Sequence, residues 1–371
     1  MDLCFRVRGE SFRVGEFAPD ISGNILLEDL EEFLTIASGD KRNFLCAASK
    51  KMVSSVTSDR SLWPFLVRPS QRQRIISDVI KAVGVALEDE NTLEYLKIWH
   101  QIRKFLSSLS PARVDMMRWR AMREKFSSLR GKAFDPHPIT GELINPVYMT
   151  SLTSTGRLTI VRGPNFLVAP AESRSAIIPT TAGSQIVSVD FTSMEPRVAL
   201  LCVGDLNDAG DVYTYLMELC EIDSRSSAKL ATISALYGAS QLKLIETVGS
   251  RTKARSIIEN VRRFFRVEEL ETFLANQSML EGVRNLFGRP LRDATSQPRV
   301  RVNHFVQSTA ADLAVLLFSE LCGKFAKARP LLVIHDALII EIPDSDREEF
   351  EAACRTISYG GVTFPTTVNT L

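Results

Sequence analysis

The chain of 371 residues contains 45% hydrophobic and 24% charged residues, which excludes an intrinsically disordered protein and indicates a folded one of two or three subdomains. Its net charge of +1 excludes a protein that is basic over its whole surface, so a nucleic acid would have to meet locally basic segments. No uninterrupted apolar run reaches the roughly 18 residues of a membrane span, so we expect no membrane contact.

The N-terminal region, residues 1–135, is expected to be mostly helical, because segments such as LEDLEEFLTIAS (27–38) repeat apolar residues with helical spacing. Within 100–132, nine basic residues stand against two acidic ones. Such a cluster suits the phosphates of a nucleic acid, although a solvated helix face has the same composition. The cations predicted to contact such phosphates are Arg113, Arg118, Arg120 and Arg123. The stretch AFDPHPITGELINP (133–146) is rich in Pro and Gly and marks a boundary.

The segment IVSVDFTSMEPRVALLCVG (186–204) is predicted to form a buried strand followed by a helix. Its β-branched start favours the strand, Pro196 suits a first helical turn, and Gly204 suits a helix end. Asp190 therefore stands at the exit of a hydrophobic strand, where an unpaired carboxylate is unfavourable.

In RSSAKLATISALYGAS (225–240), four residues recur at every fourth position, so they share one face of a predicted helix that Gly238 can end. These residues are Arg225, Lys229, Ile233 and Tyr237. Two cations, an apolar side chain and an aromatic ring on one face suit a triphosphate followed by a base. The alternative is an ordinary amphipathic helix whose cations reach water.

The segment LLVIHDALIIEIP (331–343) predicts a β-hairpin with His335 and Asp336 at its turn. An aspartate is a common turn residue by itself. If this hairpin lies beside the strand that ends at Asp190, however, two carboxylates converge and repel each other unless divalent cations lie between them. We therefore predict two Mg²⁺ ions held by Asp190 and Asp336, with Mn²⁺ as a substitute, an arrangement that suits phosphoryl transfer.

The six cysteines are scattered without C-x-x-C pairs, and the four histidines do not cluster. Both facts argue against a zinc site and for reduced thiols. The N-terminus MDLCFRVRGE also lacks the continuous hydrophobic segment of a secretory signal. We therefore expect a cytoplasmic location, or the host cytoplasm if the protein is viral.

Together these segments resemble the polymerase core of the family A DNA polymerases, the DNA polymerase I type. Motif A of that family, roughly D-Y-S-Q-I-E-L-R, is similar to DFTSMEPR (190–197). Motif B, roughly R-x-x-x-K-x-x-x-F-x-x-x-Y-G, is similar to RSSAKLATISALYG (225–238), and motif C, H-D-E, to HDA (335–337). Two further signatures are similar to TSTGRL (153–158) and RVRVNHFVQSTAADL (299–313).

The resemblance covers about residues 150–345 and implies an α+β, right-hand polymerase fold: a palm with an antiparallel sheet, helical fingers and a thumb. The implied division is an N-terminal helical, thumb-like region (1–135), a first palm segment with motif A (136–204), fingers with motif B (205–290) and a second palm segment with motif C (291–371). Too few residues precede the match for a thumb and an exonuclease domain, so we expect a compact polymerase without proofreading.

The resemblance also implies roles for the residues that match its motifs. Asp190 and Asp336 are expected to bind the metal ions and to form the catalytic set with Lys229. The residues expected to bind the incoming dNTP are Arg225, Lys229, Ile233, Tyr237 and Glu195, the last as a steric gate that fills the space of a ribose 2′-hydroxyl. The residues expected to contact primer–template DNA are Arg157, Arg299, Asn303, Gln307 and His335.

Some positions depart from the family pattern. Ile233 stands where the family has an aromatic residue that packs on the sugar, and Ala337 replaces the glutamate of motif C. Tyr213, two residues after Asp211, replaces a histidine. None of these changes removes a metal-binding aspartate, so the expected function is template-directed addition of dNTPs to a primer 3′-hydroxyl. Replisome or processivity partners are left open.

Two alternatives stay open. A single-subunit RNA polymerase or primase-like nucleotidyltransferase shares this fold, although the RNA polymerases lack a bulky acidic gate such as Glu195. The second alternative is a catalytically silent nucleic-acid-binding relative. The joint presence of Asp190, Asp336, Lys229 and Arg225 argues against it.

Overall fold

The computed structural model describes residues 4–7, 10–13, 27–38, 67–203, 211–238, 241–280, 282–291 and 297–371. The elements before residue 180 are, in chain order, β1 (Cys4–Val7), β2 (Glu10–Arg13), α1 (Leu27–Ser38), α2 (Pro69–Leu87), α3 (Glu90–Ser107), β3 (Arg113–Val114), α4 (Met116–Lys125), β4 (Val147–Met149), β5 (Thr159–Arg162) and β6 (Ile177–Ile178). Short 3₁₀ turns lie between some of them.

The elements after residue 180 begin with the strand and helices that carry motifs A and B: β7 (Ser184–Phe191), α5 (Met194–Val203), α6 (Val212–Cys220), α7 (Arg225–Tyr237), α8 (Gln241–Val248), α9 (Arg251–Phe264) and α10 (Val267–Leu280). The remaining elements are α11 (Pro298–Gly323), β8 (Arg329–Ile334), β9 (Ala337–Pro343), α12 (Arg347–Arg355), β10 (Ser358–Tyr359), β11 (Val362–Thr363) and β12 (Thr366–Thr370).

A four-stranded antiparallel sheet with the strand order β12-β7-β9-β8 carries the two sequence motifs that contain aspartates. Successive residues of a strand point to opposite faces. Val187 and Val189 of β7 therefore join a core that includes residues of α11 and α5, whereas Ile186 joins a second core around Trp119 and Phe166. Because both faces are covered, β8 and β9 are apolar at nearly every position.

The 26-residue helix α11 packs against α5, α7, α10, α3 and β8. By length and composition it is the one described helix that could cross a membrane, but 72% of its most apolar window is buried inside the protein. That burial is what the central helix of a globular core shows. A criterion of uninterrupted apolar runs does not detect α11, because polar residues interrupt its apolar sequence.

Helix α7 carries motif B and is surrounded by α6, α8, α9 and α11. The Ser224 side chain accepts a hydrogen bond from Ser227 N at its start, and Gly238 ends it in a left-handed conformation with a φ of 70°. The positive φ favours glycine here, and an added Cβ at Gly238 would also come within 2.7 Å of the Arg299 side chain, which would have to shift. The predicted helix and its predicted end are confirmed.

Other local predictions are also confirmed. The segment 27–38 is helical, the strand β7 is followed by the helix α5, and 329–343 form a hairpin. The predicted helix end at Gly204 lies outside the described residues. Of the cysteines, Cys202, Cys220, Cys322 and Cys354 are free thiols, while Cys46 and the side chain of Cys4 lie outside the described part.

The division of the chain into thumb, palm and fingers stays a prediction. The N-terminal part contains the predicted helices, and it also contains the short strands β1, β2 and β3. Trp119, Leu129 and Phe134 pack in the second core with Ile186 and Ile339 of the four-stranded sheet. The end of the predicted thumb-like region is thus joined to the sheet by apolar packing.

Candidate active site

The pairing of two strands brings the two predicted metal-binding aspartates together. β7 and β9 pair with Asp190 opposite Ala337, so Asp336 lies next to this pair in the turn between β8 and β9. The Phe191 N–H donates to the backbone oxygen of Asp336 at 3.1 Å. His335 takes a left-handed φ of 57°, as a tight two-residue hairpin turn requires. Asp190, near the end of β7, and Asp336, just after the end of β8, therefore lie at the same site.

Both carboxylates line an open cavity of about 810 Å³, a size within the usual range of small-molecule clefts. The predicted site residues that line it are Arg157, Asp190, Glu195, Arg225, Lys229, Ile233, Tyr237, Gln307, His335 and Asp336. One face of α7 forms a wall of the cavity, which agrees with the fourfold spacing of its cations and its aromatic ring. The fold therefore brings together ten residues from motifs that are spread along the chain from residue 157 to residue 336.

Protein cations offset the negative charges of Asp190 and Asp336 only in part. Burial raises the pKa of Asp190 to about 6, and the charge of Asp336 adds to this increase, while Arg174 and Lys229 oppose it. Burial also raises the pKa of Asp336, and Glu195 contributes to that increase. Carboxylates in this state are stabilised by a divalent cation, for which oxygen ligands are preferred.

The residues present fit a divalent metal with an incomplete protein ligand set. Among the described residues there is no group of three or more His, Cys, Asp or Glu side chains suited to hold a metal. Asp190 and Asp336 could therefore bind such an ion only together with backbone oxygen, water or substrate oxygen atoms. Mg²⁺ is commonly held in this way, by one or two carboxylates and the phosphates of a substrate.

Both carboxylate oxygens of Glu195 have a partner within the protein. Oε2 accepts a hydrogen bond from the Tyr237 hydroxyl at 2.8 Å, and Oε1 is paired with the Arg157 guanidinium. Burial and the nearby Glu195 charge raise the pKa of Tyr237 well above its usual value, so the phenol stays a donor at neutral pH. The predicted gate residue thus has a fixed orientation at the edge of the cavity.

Arg225 is held between an acid and an aromatic ring. Its Nε donates to Asp211 Oδ2 at 2.9 Å, and its guanidinium carbon lies 4.8 Å from the centre of the Tyr213 ring. Burial alone would raise the pKa of Asp211, but hydrogen bonds from Arg225 and Thr214 lower it below the usual value. Asp211 also caps α6. In the sequence, Asp211 and Tyr213 stood out only as a departure from the family pattern.

Arg174 is a further cation near the site that the sequence patterns did not reveal. It lies in a 3₁₀ turn, Ala171–Ala176, and its charge lowers the pKa of Asp190. Burial in turn lowers the pKa of Arg174. Its sequence neighbourhood, AESRSA, has no periodic pattern that could have linked it to an aspartate on another element.

The predicted DNA-contacting residues of α11 fall into two groups. Gln307 lines the cavity. Arg299 and Asn303, which precede it at intervals of four residues on the same helix, do not line it. The Arg299 side chain lies near Gly238 at the end of α7, and Asn303 has a buried Oδ1 without a hydrogen-bond partner among the described residues. These three residues follow one stripe of α11 that leads away from the cavity.

The four arginines predicted to grip phosphates do not line the cavity. Arg113, Arg118 and Arg120 are exposed on β3 and α4. Arg123 instead pairs with Asp135 at 2.6 Å and donates to the backbone oxygens of Leu129 and Arg130. Its guanidinium therefore fixes the turn after α4, and the DNA contact of Arg123 stays a prediction.

Comparison with known proteins identifies the family. The sequence model described as DNA polymerase family A matches residues 89–360, which include the segments similar to motifs A, B and C. The chain belongs to DNA polymerase family A. The resemblance drawn from five short motifs is therefore confirmed over a much longer stretch.

Two curated relatives of this family A chain show how much is shared. The DNA polymerase I of Geobacillus stearothermophilus is 27% identical over 258 residues, which cover 60% of this chain and 29% of that protein. The thermostable DNA polymerase I of Thermus filiformis is 27% identical over 281 residues, which cover 63% of this chain and 32% of that protein. The chain thus matches less than a third of the length of either relative.

A solved structure confirms the predicted fold class. The POL domain of Pol1 from M. smegmatis, in complex with DNA primer-template and dNTP, superposes with a TM-score of 0.59 at 14% sequence identity. The superposition covers 92% of this chain and 80% of that domain. At this identity the likeness shows the fold, which is the α+β polymerase fold expected for family A.

Proposed function

We propose that this chain is a template-directed DNA polymerase that adds dNTPs to the 3′-hydroxyl of a primer. The observation that carries the proposal is the convergence of Asp190 and Asp336 with Lys229, Arg225 and Glu195 in one cavity of a family A fold. Primer–template DNA and dNTPs are the proposed partners. They are also the ligands named for the superposed POL domain.

Asp190 and Asp336 are proposed to hold two Mg²⁺ ions, for which Mn²⁺ could substitute. When bound, such ions lower the pKa of an attacking hydroxyl and neutralise the charge that develops on the leaving phosphates. The raised pKa values of the two aspartates support this role, because they indicate carboxylates that lack enough cationic partners within the protein.

The cations of α7 are proposed to bind the triphosphate. Arg225 and Lys229 lie one helical turn apart and face the cavity, so both can contact the same chain of phosphates. Asp211 and Tyr213 keep the Arg225 side chain in one orientation before the substrate arrives. Lys229 would stabilise the charge that develops as the pyrophosphate leaves.

The C-terminal part of the same face of α7 is proposed to contact the sugar and the base of the dNTP. Ile233 and Tyr237 lie one and two turns beyond Lys229, and Glu195 is bonded to the Tyr237 hydroxyl. A carboxylate that is held on both oxygens cannot easily swing away from a ribose 2′-hydroxyl. Glu195 is therefore proposed as the steric gate that favours dNTPs over NTPs.

The duplex is proposed to lie along α11 and the turn between β8 and β9. Arg157, Gln307 and His335 reach the cavity itself, while Arg299 and Asn303 extend the path along α11. Contacts of this kind hold the backbone and check the shape of a base pair rather than its sequence. Arg113, Arg118 and Arg120 are proposed as additional phosphate contacts farther from the reacting atoms.

The proposal includes polymerisation without proofreading by the residues of this chain. A metal-dependent exonuclease site needs several clustered carboxylates. The absence of proofreading is tested by adding a mismatched primer without dNTPs, where we expect no shortening of the primer.

The test of the proposed function is primer extension on a defined template with Mg²⁺, using dNTPs and NTPs separately. The wild-type protein should extend with dNTPs, whereas Asp336→Ala should not extend while still binding primer–template. Asp344→Asn is the matched control, because Asp344 is an exposed acid near the opposite end of the same strand pair. Efficient extension with NTPs alone would favour the RNA polymerase alternative, and binding without extension by the wild type would favour a silent relative.

A further inference from the structure

A buried glutamate on α1 contacts the loop that leads to the active site. Glu32 has no exposed surface, and its Oε1 accepts hydrogen bonds from the Thr150 hydroxyl at 2.6 Å, from Ser151 N at 2.9 Å and from Thr150 N. Helix α1 lies before residue 89, where the match to the family begins. A segment outside the family match is therefore bonded directly to the start of the loop that contains TSTGRL.

The same short stretch of backbone is held from two other sides. Arg103 of α3 donates to the Tyr148 oxygen at 2.5 Å, and its Nη1 lies 3.7 Å from Glu32 Oε2. Arg289 donates to the Thr150 oxygen at 3.2 Å. The donor and the acceptor of the Thr150 backbone are thus fixed by opposite charges, one on Glu32 and one on Arg289.

Arg289 connects this stretch of backbone to the core of the protein and to the loop. Its guanidinium pairs with Asp312 of α11 through bonds of 3.0 and 2.5 Å and lies 4.9 Å from the centre of the Tyr95 ring. Its other face supports Gly156, where an added Cβ would come within 2.7 Å of Arg289 Nη1. Gly156 has a φ of 65°, so the loop turns directly on the arginine.

The residue after this turn is Arg157, which pairs with Glu195 in the cavity. A continuous series of contacts therefore runs from Glu32 through Thr150 and the loop to Arg157 and the proposed gate. We propose that Glu32 is a positioning residue for the nucleotide site: by fixing the loop 150–158, it keeps Arg157 against Glu195 and so sharpens the selection of dNTPs over NTPs. The proposal rests on the proposed function, because it requires Glu195 to act as the gate.

The physical reason is the number of donors that depend on one carboxylate. Without Glu32, the N–H groups of the buried Thr150 and the half-buried Ser151 lose their acceptor, and Arg103 loses a nearby negative charge. Buried donors without acceptors are unfavourable, so the loop start would move toward water. Glu195 would then be held by Tyr237 alone and could give way to a 2′-hydroxyl.

The chain offers a closely matched control. Glu341 of β9 is also buried and also accepts hydrogen bonds from a threonine N–H, from the hydroxyl of that threonine, Thr180, and from the next N–H, that of Thr181. An arginine, Arg329, pairs with it as well. Glu341 lies near the end of β9 away from Asp336, opposite Ile186, so its removal should perturb folding without reaching the gate.

The experiment measures the ratio of kcat/KM for dCTP and CTP, together with amide hydrogen exchange of residues 150–158, in variants of the whole chain. Glu32→Ala should lower the dCTP preference by about fivefold or more and should speed exchange at Thr150 and Ser151 by about tenfold or more. Glu341→Ala should change neither quantity. Thr150→Val, which removes one hydroxyl and keeps the side-chain shape, should act like a weaker Glu32 variant and serves if Glu32→Ala does not fold.

A double variant separates a positioning role from general loosening. In an Arg157→Ala background, Glu32→Ala should change the dCTP preference by less than about twofold, because the contact through which it acts is already absent. An undiminished effect in that background, or unchanged preference and exchange in both Glu32→Ala and Thr150→Val, would overturn the proposal. If Glu195→Ala itself leaves the preference of the wild type unchanged, the gate assignment has failed, and a positioning role in sugar selection fails with it.

Discussion

The carboxylates near the two ends of the strand pair β7 and β9 have pKa values that are shifted in opposite directions. Near one end, Glu341 accepts hydrogen bonds from Thr180 and Thr181, and Arg329 lies beside it. At the other end, burial raises the pKa of both Asp190 and Asp336. For Glu341 burial alone would have the same effect, but the hydrogen bonds lower its pKa below the usual value.

Under the proposed function, this difference separates an acid that stabilises the fold from an acid that binds metal. A carboxylate that serves folding has its donors within the protein, so folding favours its charged form. A carboxylate that serves metal binding is left short of donors, so the folded protein carries an electrostatic strain that a bound cation relieves. The sheet provides rigid positions for both, and only the surroundings of each strand end decide the role.

The largest expected effect is the loss of catalysis at the cavity end. Asp190→Ala or Asp336→Ala should lower the single-turnover rate of nucleotide addition by about a thousandfold or more, because each removes a proposed metal ligand, which would be worth several kcal/mol in the transition state. Binding of primer–template, measured by fluorescence anisotropy, should stay within about twofold of wild type. Extension at a tenth of the wild-type rate by either variant would contradict the metal-binding assignment.

At the opposite end the expected effect is on stability. Glu341→Gln should lower the free energy of unfolding by about 1–3 kcal/mol at pH 7, because charge-assisted hydrogen bonds are removed. The folded state lowers the pKa of Glu341, so this stabilisation is present above the usual glutamate pKa and is lost as the pH falls through the lowered value. Urea unfolding of both proteins at pH 7 and pH 3.5 should show the difference shrinking at the lower pH.

Substitution of Glu195 tests whether a carboxylate near Asp190 and Asp336 selects the sugar, which is a role different from metal binding and from stabilising the fold. Glu195→Ala should raise incorporation of CTP relative to dCTP by at least about tenfold, or about 1.4 kcal/mol, because space opens beside the sugar C2′. Glu195→Gln keeps the volume and is the matched control, with a smaller change expected. An unchanged ratio of kcat/KM in Glu195→Ala would remove the gate assignment and strengthen the RNA polymerase alternative.

A smaller effect concerns the strain at Asp190. The folded state raises its pKa to about 6 from a usual value of 3.8, so folding is disfavoured as the pH rises through this interval. Asp190→Asn should therefore stabilise the metal-free protein above pH 6 and not below about pH 4. Because Asp190 is only partly buried and keeps contact with solvent, we expect a gain of only about 1 kcal/mol in chelator at pH 7.5. Added Mg²⁺ should raise the Tm of the wild type more than that of the variant.

The smallest expected effect lies outside the sheet, on β3 and α4. Replacing Arg113, Arg118 and Arg120 with Ala should weaken DNA binding equally for all sequences and should reduce the salt slope of log K by about 0.9 for each phosphate that the protein no longer neutralises. Lys97→Ala, an exposed cation of α3, is the control. An unchanged slope would make these arginines an ordinary solvated face.

The sequence predicted the parts of this site that local patterns encode. Asp190 and Asp336 follow buried strands, and the spacing from Arg225 to Tyr237 marks one helix face, so each could be located without coordinates. The pairing of β7 with β9, which makes the aspartates converge, is confirmed. The glycine that follows this helix face predicted the end of α7, which Gly238 forms in its left-handed conformation.

What the sequence could not predict are contacts between distant elements with no periodic signal. Nothing around Arg174 links it to Asp190, and Glu32 looks like one more acid in LEDLEEFLTIAS. Arg123 belongs to a basic segment by composition, yet Asp135 and two backbone oxygens bind it. A basic segment of the sequence shows how many cations are present, but the partner of each cation depends on tertiary packing.

The most direct test measures rate and stability together in two variants of the same strand pair, Asp336→Asn and Glu341→Gln. We expect Asp336→Asn to lose nucleotide addition and to keep or gain stability, whereas Glu341→Gln should lose stability and keep the rate at a temperature where it is folded. If both variants lost rate and stability in the same proportion, the two ends of the sheet would not differ in role, and the assignment of Asp336 as a functional carboxylate would be contradicted.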